Sequence, residues 1–184
     1  MPANFAAAVR KDDPLELPVL LFFTLSAAGW LWEVLFTGLS TGRLVNRGFF
    51  YGPWLPVYGV GGLLMLLLLS RLRQGWPLFP LCALLGGGVE YGVSVLLETL
   101  FHAKWWDYSG WAGNLDGRVC LASAAAFGLV GWLLVRRVGP HLCGILSAMP
   151  ARPRTALCRT LCVLFALDIV ISMAAPNLNG SFPL

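Results

Sequence analysis

Apolar residues in this chain come in long runs separated by short polar stretches. A helix needs about 20 apolar residues in succession to cross a bilayer. Five runs meet that length, at 17–39, 53–72, 77–101, 119–138 and 155–175. The connections fall at 40–52, 70–76, 102–118 and 139–154, and Pro53, Pro77 and Pro140 stand at run ends, where a missing N–H is tolerated. Pro56 and Pro80 sit in first turns and are expected to tilt the entries without breaking the spans. The fold class this pattern predicts is all-α: a polytopic membrane bundle of about five transmembrane helices, with residues 17–175 as the membrane domain, 1–16 as a cytoplasmic segment and 176–184 as an outer tail.

Two runs end alike. Leu31-Trp32-Glu33-Val34-Leu35-Phe36 closes the first, and Leu96-Leu97-Glu98-Thr99-Leu100-Phe101 closes the third. A carboxylate in a hydrocarbon-length helix is costly and marks a partner or a wet cavity by default. Each motif precedes an aromatic loop carrying arginine, with Asn46-Arg47-Gly48 in the first and Asn114-Leu115-Asp116-Gly117-Arg118 in the second. The spacing fits a parallel duplication of a two-helix hairpin. At 100° per residue, Gly86, Gly87, Glu90, Tyr91, Ser94 and Glu98 share about 140° of arc. Ser26, Gly29, Trp30, Glu33 and Thr37 make a similar stripe on the first span. Small and polar residues are what helices in lipid pack through. The expectation is that spans one and three meet through these stripes and converge Glu33 and Glu98 on one polar centre.

Composition agrees with the pattern. The chain of 184 residues is 58% hydrophobic and only 12% charged, half the roughly 25% usual in soluble domains, and its mean hydropathy is +0.73. Its net charge of +4 carries no nucleic-acid signal, because the basic residues sit in short loops rather than on an aromatic-interleaved stripe. They set topology instead. Arg10, Lys11, Arg71, Arg73, Arg136, Arg137, Arg152, Arg154 and Arg159 fall on one side, and Arg43, Arg47, Lys104 and Arg118 on the other. The N-terminus is therefore expected inside and both glutamate motifs near the outer surface. The apolar run continues past Ser26-Ala27-Ala28 to Leu39, too long for a cleaved signal segment, so the first span is expected to be retained.

Other signals are weaker. Five cysteines, an odd number, lie mostly within apolar runs as small fillers, and the spaced pairs Cys158/Cys162 and Glu98/His102 lack further ligands. Trp105-Trp106-Asp107-Tyr108 reads first as an interfacial aromatic belt, with Asp107 placed to tether Arg47 or Arg118. No Walker motif, HExxH or Ser/His/Asp set is present, so no catalytic residue, metal or cofactor is assigned.

One combination of motifs is distinctive. Gly29-Trp30-Leu31-Trp32-Glu33 is followed by Val45-Asn46-Arg47-Gly48-Phe49-Phe50-Tyr51-Gly52-Pro53-Trp54-Leu55-Pro56-Val57-Tyr58-Gly59. Then come Glu90, Glu98, Trp105-Trp106-Asp107-Tyr108-Ser109 and Asn114-Leu115-Asp116-Gly117-Arg118-Val119-Cys120-Leu121. Over 29–135 the chain resembles the family described as "Putative ABC-transporter type IV", small bacterial membrane proteins labelled as ABC transporter permeases. The resemblance implies a multi-pass protein of the bacterial cytoplasmic membrane that works with a separate ATPase subunit.

The candidate ligand-binding set is Glu33, Arg43, Asn46, Arg47, Tyr58, Glu90, Glu98, Trp106, Asp107, Tyr108, Asn114 and Arg118. Three classes of function fit it. One is a permease or substrate-binding subunit, self-associating or partnered by an ATPase. Another is an outer-leaflet enzyme or lipid-handling factor, since paired carboxylates divide acid and base roles and arginines suit phosphate. The third is a non-catalytic scaffold whose charge pairs hold the outer loops. Membrane lipids are expected partners in each, and nucleic acid in none.

Overall fold

The computed structural model describes residues 15–72, 77–177 and the backbone of 182–183. Residues 1–14, most of the expected cytoplasmic segment, lie outside the described residues, as do Arg73 and most of the expected outer tail. The helices are α1 (Glu16–Thr41), α2 (Pro56–Leu69, with a tighter turn at Ser70–Leu72), α3 (Leu78–Phe101), α4 (Leu121–Leu133), α5 (Gly139–Ala148) and α6 (Ala151–Ala174). Among the described residues, strand is limited to the antiparallel pairing of β1 (Ala103–Lys104) with β2 (Phe182–Pro183).

Among the described residues, four helices are long and apolar enough to cross a membrane: Glu16–Thr41, Leu78–Phe101, Leu121–Ala148 and Ala151–Ala174. The third of these is α4 and α5 joined through a wide turn at Leu134–Val138. The segment 139–154, expected to be a loop, is thus mostly helix. Widening the turn ahead of Pro140 accommodates a ring that a regular α-helix would exclude.

The second expected span is shorter, at Pro56–Leu72, because α2 does not start level with the end of α1. Leu55 N donates to Ser26 O at 3.0 Å, and Gly59 lies flush against Ser26 and Phe22. Ser26 is ten residues into α1, about 15 Å along an axis of about 39 Å. Residues 42–55 therefore fold back into the bundle beside the C-terminal half of α1. Non-helical backbone at that depth is tolerated only when its polar groups are satisfied within the protein.

Asp168 on α6 supplies much of that satisfaction. Its Oδ1 accepts from Tyr51 N (3.1 Å) and Ser172 Oγ (2.9 Å), and its Oδ2 from Gly52 N (2.8 Å) and Trp54 Nε1 (2.7 Å). Asn177 N donates to Phe49 O at 3.1 Å, and its side-chain amide donates to Asn46 O and Phe50 O. Phe165 of α6 joins Phe22, Phe23, Phe50 and Trp54 in one aromatic cluster. At the other end of α6, Glu16 accepts from Arg154 Nε (2.7 Å) and Thr155 Oγ1 (2.5 Å). The helix is the least buried of the four long ones, and polar clamps near both ends fix it.

The second hairpin repeats the plan. Residues 102–120 return along α3 until Val119 rests on Gly87, so α4 also begins deep in the bundle. Trp105, only 5% exposed, packs on Phe49 of the first loop and is a tether between loops rather than an interfacial ring. Its indole follows the chain inward because residues 102–120 fold inward, a return that hydropathy does not register.

Direct packing of α1 on α3 is corrected by the structure. α1 packs on α2 and α3 on α4, with α2 joining the two hairpins; α1 and α3 share no substantial interface. The small-residue stripes serve the hairpins: Gly29 receives the Tyr58 ring and Gly86 the Phe127 ring. At the end where α1 begins, Leu17, Leu21, Met65, Leu66, Leu78, Leu134 and Val135 form the apolar core.

Asp168→Ala is expected to destabilise the protein by about 3–5 kcal/mol, since it leaves four donors without an acceptor, the Trp54 indole and Ser172 hydroxyl among them buried. Thermal unfolding in lipid nanodiscs would read this. Wild-type stability in that variant would mean that the loop does not rely on the carboxylate.

Candidate functional site

Both returning loops turn at glycine. Gly48 (φ 96°) follows Arg47 and Gly117 (φ 68°) precedes Arg118, a left-handed conformation that side chains rarely adopt. Each turn delivers its arginine to the glutamate of its own hairpin. Arg47 Nε lies 3.9 Å from Glu33 Oε2, and Arg118 forms a close ion pair with Glu98. The matched motifs thus make two pairs, one in each hairpin. Arg118 also donates to Ser94 Oγ at 3.1 Å and lies over the Tyr91 ring, whose hydroxyl donates to Asp116 Oδ2 at 2.7 Å.

The acid that shares surroundings with Glu33 is Glu90. Tyr58 OH donates to Glu33 Oε1 at 2.6 Å, and Tyr108 OH donates to Glu90 Oε1 at 3.2 Å. Tyr108 lies within the field of both acids. Burial first, then the charge of Glu90 and its hydrogen bond, then Glu33, raise its pKa well above the usual phenol value. The phenol therefore stays neutral and remains a donor. The tyrosines face a common region, with Phe127 of α4 against Tyr58.

Glu33 is 29% exposed at its side chain, whereas Glu90 is a 6% exposed residue whose Oε2 has no hydrogen-bond partner. Asp168 is as buried, at 7%, but both its oxygens are occupied. That contrast separates a brace from a group with unused binding capacity.

The remaining sequence candidates hold the loops. Asn46 accepts from Trp30 Nε1 (2.6 Å) and donates to Tyr51 O (2.8 Å). Asn114 donates to Ser109 O and Trp111 O and accepts from Gly117 N. Trp106 Nε1 donates to Arg118 O at 2.8 Å. Asp107 accepts from the Ser109 hydroxyl (2.6 Å) and backbone N (2.9 Å), which lower its pKa, with Lys104 adding to the effect. It tethers its own turn rather than Arg47 or Arg118. Arg43 is exposed at the rim of the first loop. Sequence reasoning left out Tyr91, Ser94 and Asp168, although Ser94 and Tyr91 belong to the stripe on α3.

The family model described as "Putative ABC-transporter type IV" matches residues 20–173, including both loops and all six helices in whole or in large part. The chain belongs to this family. Four apolar helices of spanning length and this membership together make it a membrane protein of ABC-transporter type. No curated protein and no solved structure is detectably similar to it.

A double-mutant cycle on Glu98→Gln and Arg118→Ala should give a coupling of about 1–3 kcal/mol in unfolding stability. Additive single-variant effects would show that the pair contributes nothing beyond its members.

Proposed function

We propose that this chain is the membrane subunit of an ABC-type transport system in a bacterial cytoplasmic membrane. Its N-terminus lies inside, and its polar site opens on the outer side between the two returning loops. The reading is supported chiefly by one observation: both loops carry non-helical backbone deep into the bundle, beside helices on which Tyr58 OH donates to Glu33 and Glu90 accepts from Tyr108 OH of the second loop. Transporter binding sites are commonly built where spans are interrupted at membrane depth. Glu33–Arg47 and Glu98–Arg118 act in this reading as clamps that hold the loops, and the tyrosines and Glu90 as the contact surface.

The distribution of basic residues supports the orientation. Arg71, Arg136, Arg137, Arg152 and Arg154 gather at the end where α1 begins, whereas Arg43, Arg47, Lys104 and Arg118 lie at the other. Because the chain has no Walker motif, ATP hydrolysis falls to a separate subunit.

Affinity purification from the native membrane tests the reading. An ATP-hydrolysing partner should co-purify with the wild-type chain. Proteoliposomes containing both should show ATP-dependent solute movement that falls at least tenfold in Glu90→Gln. A folded chain that isolates without any ATPase, or movement indifferent to ATP, would contradict it. An altered envelope-lipid profile in a deletion strain, with no transport defect, would favour the lipid-handling reading.

A further inference from the structure

Every carboxylate among the described residues has its charge answered, with one exception. Glu16 has Arg154, Glu33 has Arg47 and Glu98 has Arg118. Asp168 is saturated by four donors, Asp107 is capped by Ser109 and Asp116 receives Tyr91. Glu90 has neither a cation nor a full set of donors: Tyr108 OH holds Oε1, the nearby Ser123 hydroxyl is engaged with the Cys120 backbone, and Oε2 is buried without a hydrogen-bond partner. For the protein alone, ionising a buried acid that has no counter-charge and one oxygen without a hydrogen bond is strongly unfavourable.

The surroundings specify what would relieve it. Glu33 adds a second carboxylate within the field of Tyr108, and Arg47 offsets its charge, so an ionised Glu90 is left without a cation of its own. Among the described residues no group of three or more His, Cys, Asp or Glu side chains converges, which disfavours a multivalent metal. Each of the two acids is reached by an aromatic side chain, Glu33 by Tyr58 OH and Glu90 by Tyr108 OH. The Tyr58 ring meets Phe127, and the Tyr108 ring meets Trp111. Aromatic faces beside a carboxylate attract weakly hydrated organic cations through the ring quadrupole, which small hydrated metal ions exploit less readily.

We infer that Glu90, with the rings of Tyr58 and Tyr108, forms a binding site for a small organic cation bearing one ammonium group. The ammonium seats on Glu90 Oε2, and Glu33 adds to the negative potential at the rim. Tyr108 is a positioning residue that holds the carboxylate by its other oxygen. The inference rests on reading the loop-lined region as a ligand site, and it is independent of ATPase coupling.

Titration calorimetry on the full chain in neutral-lipid nanodiscs, without nucleotide, tests it. Tetramethylammonium and methylammonium chloride would be compared with NaCl and KCl at matched ionic strength. An ammonium probe should bind saturably. Glu90→Gln should weaken it at least tenfold and Tyr108→Phe several-fold, while His141→Asn, at an exposed position on α5, leaves it unchanged. Equal affinity in Glu90→Gln, or no saturable heat from folded wild-type protein, would overturn the inference. Saturable binding of Na⁺ or K⁺ in preference to both ammonium ions would overturn the ligand class. Should Glu90→Gln fail to fold, Tyr108→Phe decides alone, and an unchanged affinity there sinks the proposal. A negative titration beside positive ATP-dependent transport would leave the transport reading standing and remove only the ligand assigned to it.

Discussion

Backbone amides inside a hydrocarbon layer must find partners within the protein, and this fold places two irregular loops where that demand is severe. Because Leu55 N bonds to Ser26 O, the chain re-enters the bundle to about the middle of α1 before α2 can start. The otherwise sparsely packed α6 is tied into the bundle by the same requirement. Its Asp168 accepts from two loop amides and the Trp54 indole, and Asn177 just beyond it serves three further loop carbonyls. Removing α6 would thus strip the first loop of its acceptors as well as one span from the bundle.

Charge follows the same economy. An arginine turned inward by a left-handed glycine reaches the glutamate of its own hairpin, so each loop arrives neutralised. With those charges matched, Glu90 is the acid left without a cation, held at one oxygen by Tyr108 OH. A rigid set of braces around one under-partnered acid is the arrangement expected where a ligand completes the coordination.

The helices were legible because hydrophobic run length is a strong constraint in lipid. The pairing of Glu33 and Glu98 with loop arginines was foreshadowed by the duplicated motif, in which each acid precedes its own arginine. What the residues did not reveal was depth. A proline-bounded apolar run at 53–72 looks like a full span, yet Pro53–Leu55 belongs to the returning loop, and the helix begins at Pro56. Nor does a small-residue stripe name its neighbour: Gly29 and Gly86 proved to face Tyr58 and Phe127 within their own hairpins. The motif symmetry drew attention to Glu98 as the partner of Glu33. Tyr58 and Tyr108 give that place to Glu90, which sits two turns earlier on α3. Asp168 was visible only as a polar residue in an apolar helix, because its partners lie more than 110 positions away.

Cysteine cross-linking in a background lacking the native cysteines measures loop depth directly. A Cβ at Gly62 would meet the end of the Leu25 side chain, which a cysteine at 25 shortens, so Leu25→Cys with Gly62→Cys should form a disulfide in native membranes, whereas Phe36→Cys with Gly62→Cys should not. In an ordinary hairpin, with α2 starting level with the end of α1, the second pair would close and the first would stay reduced. That reversed pattern would contradict the re-entrant fold and the site built on it.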